Sequence, residues 1–266
     1  MNSHTIDRTV DEPSSDDPSV DDLVAELADE LDLDDDAPEL SDIELIVLDM
    51  AGTTVADGGV VERAIALAAE RSGIVTGDDL EAALEYVRAT MGRSEIEVFR
   101  VLAGADEDAA QRANLAFEGA YAELIASEGV AEIAGAADVI RELRGAGASV
   151  VLTTGFSPET RTAIIDALGW NDLADALLSP ADVGRGRPHP DLPLTALLRT
   201  GATAVDAMVA VGDTVSDVES GVNAGAGFVV GVLSGAHERD VLEAAGADAV
   251  IDSIAELPAL LGLRGE

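Results

Sequence analysis

Short apolar runs alternate with helical patterns through the second half of this chain. Helical periodicity passes through Val139 and Leu143 and returns over 158–168 and 190–198. The apolar runs lie at 149–152, 176–178, 207–211 and 227–232, and a weaker strand and helix pair follows as far as Leu261. Strands that alternate with helices pair in parallel, because each helix carries the chain back across the sheet. We therefore predict an α/β fold with a Rossmann-like parallel sheet.

The first strand of this sheet is separated from the others by a long helical stretch. An apolar run at 43–48 ends at Asp49, and residues 60–127 then show helical spacing without a strand signal. We expect 59–133 to form an all-helical cap that is inserted after the first strand. The core then consists of 43–58 together with 134–266.

The composition limits the partners that this protein can have. The chain has 53 acidic and 15 basic residues and a net charge of -38, and every basic residue is an arginine. Nucleic acids and anionic membranes would repel such a polyanion. Residues 1–42 are especially acidic, and we expect them to form a disordered tail. The absence of lysine fits either a halophilic protein or a genome rich in G and C, although base composition alone does not account for the charge.

Two further absences bear on the cellular setting. The chain has no cysteine, and it contains no apolar run long enough to cross a bilayer. Its first residues do not have the basic and then apolar pattern of a secretory signal. We expect a cytoplasmic protein, either a monomer or a homodimer.

Polar groups follow several of the predicted strands. Asp49 is followed by Gly52, which lets the chain turn sharply and approach a ligand. Thr154 and Gly155 follow the second strand and offer a hydroxyl and a backbone N–H to an anion. Each feature alone is weak, but in a parallel sheet ligands bind at the carboxyl ends of the strands.

The later part of the chain adds an arginine and a pair of carboxylates. Arg187 lies in the sequence Gly-Arg-Pro-His-Pro, where a stiff loop can present the guanidinium to an anion. Asp213 and Asp217 are four residues apart at a strand end and the following first helical turn, so their side chains face the same way. Oxygen ligands in this arrangement suit Mg²⁺.

In their order along the chain, these four features resemble the four motifs of the haloacid dehalogenase (HAD) superfamily. The resemblance extends from Ile43 to about Leu261. It implies that Asp49 is a nucleophile that forms an aspartyl-phosphate, and that Thr154 and the Gly155 N–H hold the phosphoryl group. Arg187 would then neutralise the charge that develops on this group.

The same resemblance implies a magnesium site. Asp49, the carbonyl group of Ala51 and Asp213 would bind Mg²⁺, and Asp217 would support them. A metal at this position lets an anionic nucleophile approach an anionic substrate. A dehalogenase also uses an aspartate nucleophile but needs no metal, so the Asp213 and Asp217 pair argues against that alternative.

The first motif resembles one branch of the superfamily in particular. HAD phosphatases usually carry a second aspartate two residues after the nucleophile, where this chain has Ala51. The string Asp-Met-Ala-Gly-Thr-Thr is similar to phosphonoacetaldehyde hydrolase (phosphonatase), and the cap sequence Met-Gly-Arg-Ser-Glu at 91–95 aligns with the phosphonatase cap motif. That family has a lysine at the position of Glu95, which forms a Schiff base with the substrate. This chain contains no lysine, so the imine route is closed.

Two interpretations of Glu95 remain. Its carboxyl group replaces the acid/base that is missing at Ala51, or it is a solvated group on a very acidic cap. Met91 and Arg93 precede it, and we name both as candidate substrate-binding residues. Arg93 either contacts an anionic tail of the substrate or has only a surface role. Gly52 and Gly155 complete the predicted substrate-binding residues.

The sequence thus predicts a magnesium-dependent hydrolase of a small phosphate ester or phosphonate, similar to phosphonatase but without its lysine. The alternative from a different class is a HAD module that binds a phosphate ligand without catalysis. Loss of both the second aspartate and the cap lysine motivates this alternative, whereas retention of Asp49, Arg187 and Asp213 opposes it.

Overall fold

The computed structural model describes Pro38, residues 42–75 and residues 79–263. The predicted acidic tail lies outside these residues, apart from Pro38 and Asp42. The predicted boundaries between core and cap remain a prediction.

Six parallel strands form one sheet in the order β3-β2-β1-β4-β5-β6. The strands are β1 (Leu45–Asp49), β2 (Ser149–Thr153), β3 (Ala176–Leu178), β4 (Met208–Gly212), β5 (Phe228–Val232) and β6 (Ala249–Ile251). Strands β1, β4 and β5 are buried along their whole length, which explains why they are almost purely apolar. The predicted α/β fold is confirmed.

Four helices lie between β1 and β2 before the chain re-enters the core. They are α1 (Val60–Ser72), α2 (Leu80–Ala89), α3 (Glu95–Leu102) and α4 (Glu107–Glu128). In the described part of 60–128 the structure has helices but no strand, as predicted for the insert. Phe99 of α3 and Phe117 of α4 are fully buried between these helices, with ring centroids 6.1 Å apart.

The remaining helices connect the strands of the core. They are α5 (Ala136–Gly145), α6 (Pro158–Leu168), α7 (Asp191–Thr200), α8 (Val215–Ala224), α9 (Arg239–Ala245) and α10 (Leu257–Leu260). Local capping fixes their starts: Ser157 caps α6 and Thr214 caps α8 through side-chain oxygens that accept backbone N–H groups. No described helix combines the length and the apolar character needed to cross a membrane.

The strand order places a switch point at β1. The chain moves from β1 to β2 and β3 on one side, and then crosses to β4 on the other side of β1. Loops after β1 and β4 therefore diverge at the carboxyl edge of the sheet and leave a crevice between them. Strand β1 covers Leu45–Asp49 rather than the predicted 43–48, because Asp49 pairs in register with Thr153 of β2.

Candidate active site

Asp49 is the last residue of β1 and lies at the carboxyl edge of the sheet. Its residue is only 5% exposed, and it lines a cavity of about 480 Å³. The chain turns tightly after it, because the Met50 carbonyl accepts hydrogen bonds from the N–H groups of Thr54 at 2.9 Å and Val55 at 2.7 Å. Burial raises the pKa of Asp49, and the charge of Arg187 opposes this rise.

Gly52 brings this turn against Asp213, the first residue after β4. Its φ is +88°, and a Cβ at this position would lie 2.4 Å from a carboxylate oxygen of Asp213. A larger residue would therefore be strained and would displace the carboxylate. Gly52 is required for the approach of two acidic loops rather than for a surface turn.

Asp213 is held by hydrogen bonds from two other segments of the chain. The Thr53 hydroxyl donates to Oδ1 at 3.1 Å, and the Ala236 N–H donates to Oδ2 at 2.8 Å. Burial, together with the nearby charge of Asp49, raises the pKa of Asp213 to about 7. Two buried carboxyl groups, those of Asp49 and Asp213, are thus held close together. A bound cation would reduce the repulsion between their negative charges.

Arg187 lies between Asp49 and Asp217. Its Nη2 is 2.7 Å from Oδ1 of Asp49, and its Nη1 pairs with Oδ1 of Asp217. The second oxygen of Asp217 accepts hydrogen bonds from the backbone and the hydroxyl of Thr214, which closes the capping box of α8. Helix α8 therefore fixes Asp217, and Asp217 in turn fixes the arginine.

The acidic residues have an arrangement that fits a divalent cation. One oxygen from each of Asp49, Asp213 and Asp217 lies within 4.8 Å of the others. Gly52 and Gly235 pack so closely on Asp213 that a Cβ on either glycine would overlap its carboxylate. Hard carboxylate oxygens are the ligands that Mg²⁺ prefers, and the predicted residue Ala51 lines the same cavity.

The second motif borders the cavity on the side of β2. Thr154 is buried, and its hydroxyl accepts a hydrogen bond from the Phe156 N–H at 3.2 Å. This bond turns the chain after β2 and brings Gly155 to the cavity wall. Phe156 forms part of the wall and packs on Tyr121 of α4, with ring centroids 4.9 Å apart.

The loop before α3 covers this edge of the sheet. A Cβ on Gly155 would lie 2.8 Å from the Arg93 carbonyl oxygen. A Cβ on Gly92 would overlap the Thr214 hydroxyl. On the third side, a Cβ on Gly186 would lie 3.2 Å from the side chain of Ser94. The segment thus contacts the loops after β2, β3 and β4. Met91 and Arg93 line the cavity, Arg93 with an exposed side chain.

Glu95 is buried at the start of α3, not solvated. It is 8% exposed, lines the cavity, and its Oε1 would lie 3.4 Å from a Cβ on Gly155. Burial raises the pKa of Glu95 to about 7. The interpretation of Glu95 as a solvated surface residue is therefore wrong, because the loop at 91–95 presses this end of α3 against the core.

The sequence did not identify His237 as a residue of this site. It lies in the loop after β5 and lines the cavity beside Gly235 and Ala236. Asp57 lines it as well, and its carboxylate accepts the N–H groups of Gly59 at 2.9 Å and Val61 at 3.1 Å at the start of α1. Neither residue has a neighbour in sequence that signals such a position.

Comparisons with known proteins agree with this geometry. A family model described as a haloacid dehalogenase-like hydrolase matches residues 43–225. A phosphonoacetaldehyde hydrolase of Bacillus cereus is 31% identical over 216 residues, which cover 76% of this chain and 80% of that protein. A phosphonoacetaldehyde hydrolase of Bacteroides fragilis (strain YCH46) is 28% identical over 261 residues, covering 83% of this chain and 96% of that protein.

Solved structures show the same fold. A phosphonoacetaldehyde hydrolase like protein from Oleispira antarctica has 25% identity and a TM-score of 0.71, covering 86% of this chain and 97% of that one. A hydrolase from Pseudomonas syringae has 23% identity and a TM-score of 0.73, covering 84% of this chain and 100% of that one. The chain therefore belongs to the haloacid dehalogenase-like hydrolases, in the branch that resembles the phosphonoacetaldehyde hydrolases.

Proposed function

We propose that this protein is a magnesium-dependent hydrolase of a small phosphate ester or phosphonate, acting through an aspartyl-phosphate on Asp49. The observation that carries the proposal is the convergence of Asp49, Asp213 and Asp217 within 4.8 Å, with Arg187 2.7 Å from Asp49. These charged groups come from three separate segments of the chain and are all buried, and Asp49, Arg187 and Asp213 line the cavity. Burial of so many charged groups costs free energy, and such clusters are typical of sites that bind a ligand.

Asp49, the Ala51 carbonyl and Asp213 would hold the metal ion, and Asp217 would support it from α8. The ion supplies positive charge that lets an anionic carboxylate approach an anionic phosphorus centre. The raised pKa of Asp213 is consistent with this assignment, because burial and the nearby charge of Asp49 disfavour its ionised form and a cation would favour it.

The chain's own groups account for the rest of the reaction. An oxygen of Asp49 attacks phosphorus while the bond from phosphorus to the leaving group breaks. Arg187 donates to the oxygens of the phosphoryl group, assisted by Thr154 and the Gly155 N–H. Water then attacks the phosphorus of the aspartyl-phosphate, which frees inorganic phosphate and restores the Asp49 carboxylate.

Glu95 is our candidate for the acid/base that Ala51 lacks. As a carboxylic acid it would give its proton to the leaving oxygen, and as a carboxylate it would take a proton from the attacking water. A carboxyl group with a pKa of about 7 exists in both forms near neutral pH. Because Glu95 belongs to the insert, the site is complete only when the loop at 91–95 lies on the core.

The absence of lysine favours phosphate esters over phosphonates. A P–O bond leaves its electron pair on oxygen, which Glu95 can protonate. Cleavage of a P–C bond leaves the electron pair on carbon, as a carbanion. A Schiff base could take up this electron pair, but it needs an amine that no side chain here provides. A phosphonate would have to carry its own electron-withdrawing group next to the carbon.

A substrate panel tests this proposal. Release of inorganic phosphate would be measured with Mg²⁺ in molar KCl, with Asp49→Asn as the inactive control. Binding of phosphate analogues without turnover of any substrate would favour the non-catalytic module instead. Turnover that survives EDTA would contradict the metal assignment.

A further inference from the structure

The loop that carries Arg187 is short of backbone hydrogen-bond donors. This loop and the first turn of α7 contain three prolines, and proline has no backbone N–H. In α7 the Leu194 N–H donates to the Pro190 carbonyl at 3.0 Å. One residue earlier, the donor for the His189 carbonyl would be Pro193, which cannot donate. The His189 carbonyl therefore needs a partner from outside α7.

Helix α8 supplies donors to this loop. The Ser220 hydroxyl donates to the His189 carbonyl at 2.8 Å, and the Asn223 amide donates to the Pro188 carbonyl at 2.9 Å. Ser220 is buried, so little water competes for its hydroxyl, whereas Asn223 is exposed and makes the outer of the two bonds. One helix thus holds the two consecutive carbonyl groups that come directly after Arg187.

The same side of α8 also holds the arginine itself. Asp217, Ser220 and Asn223 follow one another at intervals of three residues, so they are neighbours along one side of the helix. Asp217 pairs with the guanidinium of Arg187. The side chain of Arg187 and the backbone that follows it are therefore bound to the same rigid element.

Packing alone does not fix the position of Arg187. A cavity of about 20 Å³ lies beside it, and Leu192, Asp217 and Ser220 line this cavity as well. Protein interiors contain few such voids, and a side chain next to one has no contacts on that side. The arginine therefore has room to shift towards α7, and the bonds from α8 decide where it lies.

We propose that Ser220 and Asn223 are positioning residues that hold the loop of Arg187 so that its guanidinium lies at Asp49. Neither residue lines the active-site cavity, so both act through Arg187 rather than on the substrate. A displaced donor stabilises the charge on a phosphoryl group less well. The effect on turnover rests on the proposed function, whereas the positioning of the arginine does not.

Four substitutions on α8 test this proposal. Ser220→Ala and Asn223→Ala each remove one donor, and the exposed position of Asn223 keeps its replacement away from the core. Ser220→Thr retains the hydroxyl, and the cavity of about 20 Å³ beside it offers space for the added methyl group. Val222→Ala changes a side chain that is 48% exposed on the same helix, and it controls for general effects on α8.

Proton exchange at the guanidinium of Arg187 is the first readout, measured by NMR on the full chain with isotope-labelled arginine. Its Nε atom is buried, and its signal is the one that Arg187→Lys lacks. We expect this proton to exchange about fivefold faster in Ser220→Ala and about twofold faster in Asn223→Ala, the effect of losing a buried or an exposed hydrogen bond. Ser220→Thr and Val222→Ala should exchange like wild type. Wild-type exchange in Ser220→Ala, or equally fast exchange in Val222→Ala, would overturn the proposal.

The second readout is the rate of phosphate release. Ser220→Ala should lower kcat about fivefold and change KM by less than about twofold, because the arginine acts on charge that develops during the reaction. In the Arg187→Lys background the same substitution should lower kcat by less than about twofold, since the group that it positions is gone. Equal losses in both backgrounds would contradict action through Arg187. If the wild-type protein turns over no substrate, the proposed function fails, but proton exchange still decides whether α8 positions the arginine.

Discussion

Arg187 and Asp49 form a buried ion pair at the carboxyl edge of the sheet, with Nη2 of the arginine 2.7 Å from Oδ1 of the aspartate. The same guanidinium pairs with Asp217 on its other side. One arginine thus balances two buried carboxylates that come from different strand ends. Burial alone favours the protonated form of the Asp49 carboxyl group, and the charge of Arg187 opposes this effect.

Replacing Arg187 should damage both stability and activity. In Arg187→Met, Asp49 and Asp217 remain buried without their partner, and we expect a destabilisation of about 3–5 kcal/mol. Phosphate release should fall by about 10²-fold or more. Denaturant unfolding and initial rates measure the two effects.

Arg112→Met provides the matched control for this variant. Arg112 is exposed on α4 and, within the described residues, makes no ion pair. Its loss should change neither quantity appreciably. Equal effects of the two substitutions would show that charge balance rather than the ion pair matters.

Replacing Glu95 should remove a pH dependence near neutrality. If Glu95 is the acid/base, Glu95→Gln should lower kcat about tenfold or more and abolish the change of kcat around pH 7. Rates of phosphate release from pH 5 to pH 9 test this. If the Glu95→Gln variant still shows a change of kcat around pH 7, this change belongs to the titration of another group.

Stability should depend on pH through the same residue. The pKa of Glu95 is raised from 4.5 to about 7 in the folded protein, so the folded state binds more protons in this window. Its contribution is full below pH 4.5 and is lost as the pH rises through 7. Glu95→Gln should therefore gain stability relative to wild type between pH 5 and pH 8, as measured by denaturant unfolding in EDTA.

A second aspartate should rescue the loss of Glu95. Ala51 lines the cavity two residues after Asp49, so Ala51→Asp in the Glu95→Gln background should recover part of the lost kcat. Ala51→Asn in the same background is the control and should not recover it. Equal rates for the two double variants would argue that the missing acid/base is not what limits Glu95→Gln.

Close contact between Gly155 and the insert should be needed for activity. A Cβ on Gly155 would lie 2.8 Å from the Arg93 carbonyl oxygen, so Gly155→Ala should push the loop at 91–95 away and lower kcat. Gly119→Ala is the control, because Gly119 is inside α4 with no atom within 4 Å of the added Cβ. We expect this helix substitution to stabilise the protein by about 0.5–1 kcal/mol without loss of activity. Similar kcat values in the two variants would contradict the contact.

Activity should increase with salt concentration. The net charge of -38 repels anionic substrates, and this repulsion is screened over about 3 Å at 1 M salt. We expect KM to fall as KCl is raised, with unfolding midpoints rising in parallel. A flat response of both quantities would count against a halophilic protein.

The sequence was sufficient to predict the fold and the meeting of Asp49 with Asp213. The carboxyl ends of parallel strands share one edge of a sheet, so polar residues that follow separate strands must lie near one another. The strand bounds differed by one or two residues. Apolar runs do not reveal where backbone pairing stops, and Asp49 continues the ladder with Thr153.

Burial of Glu95 and the position of His237 could not be predicted in the same way. In a chain with 53 acidic residues, one more glutamate carries no sign of its environment. His237 joins the site through a tertiary contact, because only the folded chain brings its ring to the Val215 N–H at the start of α8. Residues defined by tertiary contacts leave no periodic pattern.

The most direct test of the central claim is to identify the residue that carries the phosphoryl group. The Glu95→Gln variant would be mixed with a turned-over phosphate ester and Mg²⁺ in molar KCl, quenched in acid and reduced with borohydride, which converts an aspartyl-phosphate to homoserine. Mass spectrometry of the peptide that spans β1 should then show homoserine at position 49, and Asp49→Asn should show none. Phosphate release by wild type without any adduct at Asp49, or with an adduct on another residue, would contradict the account.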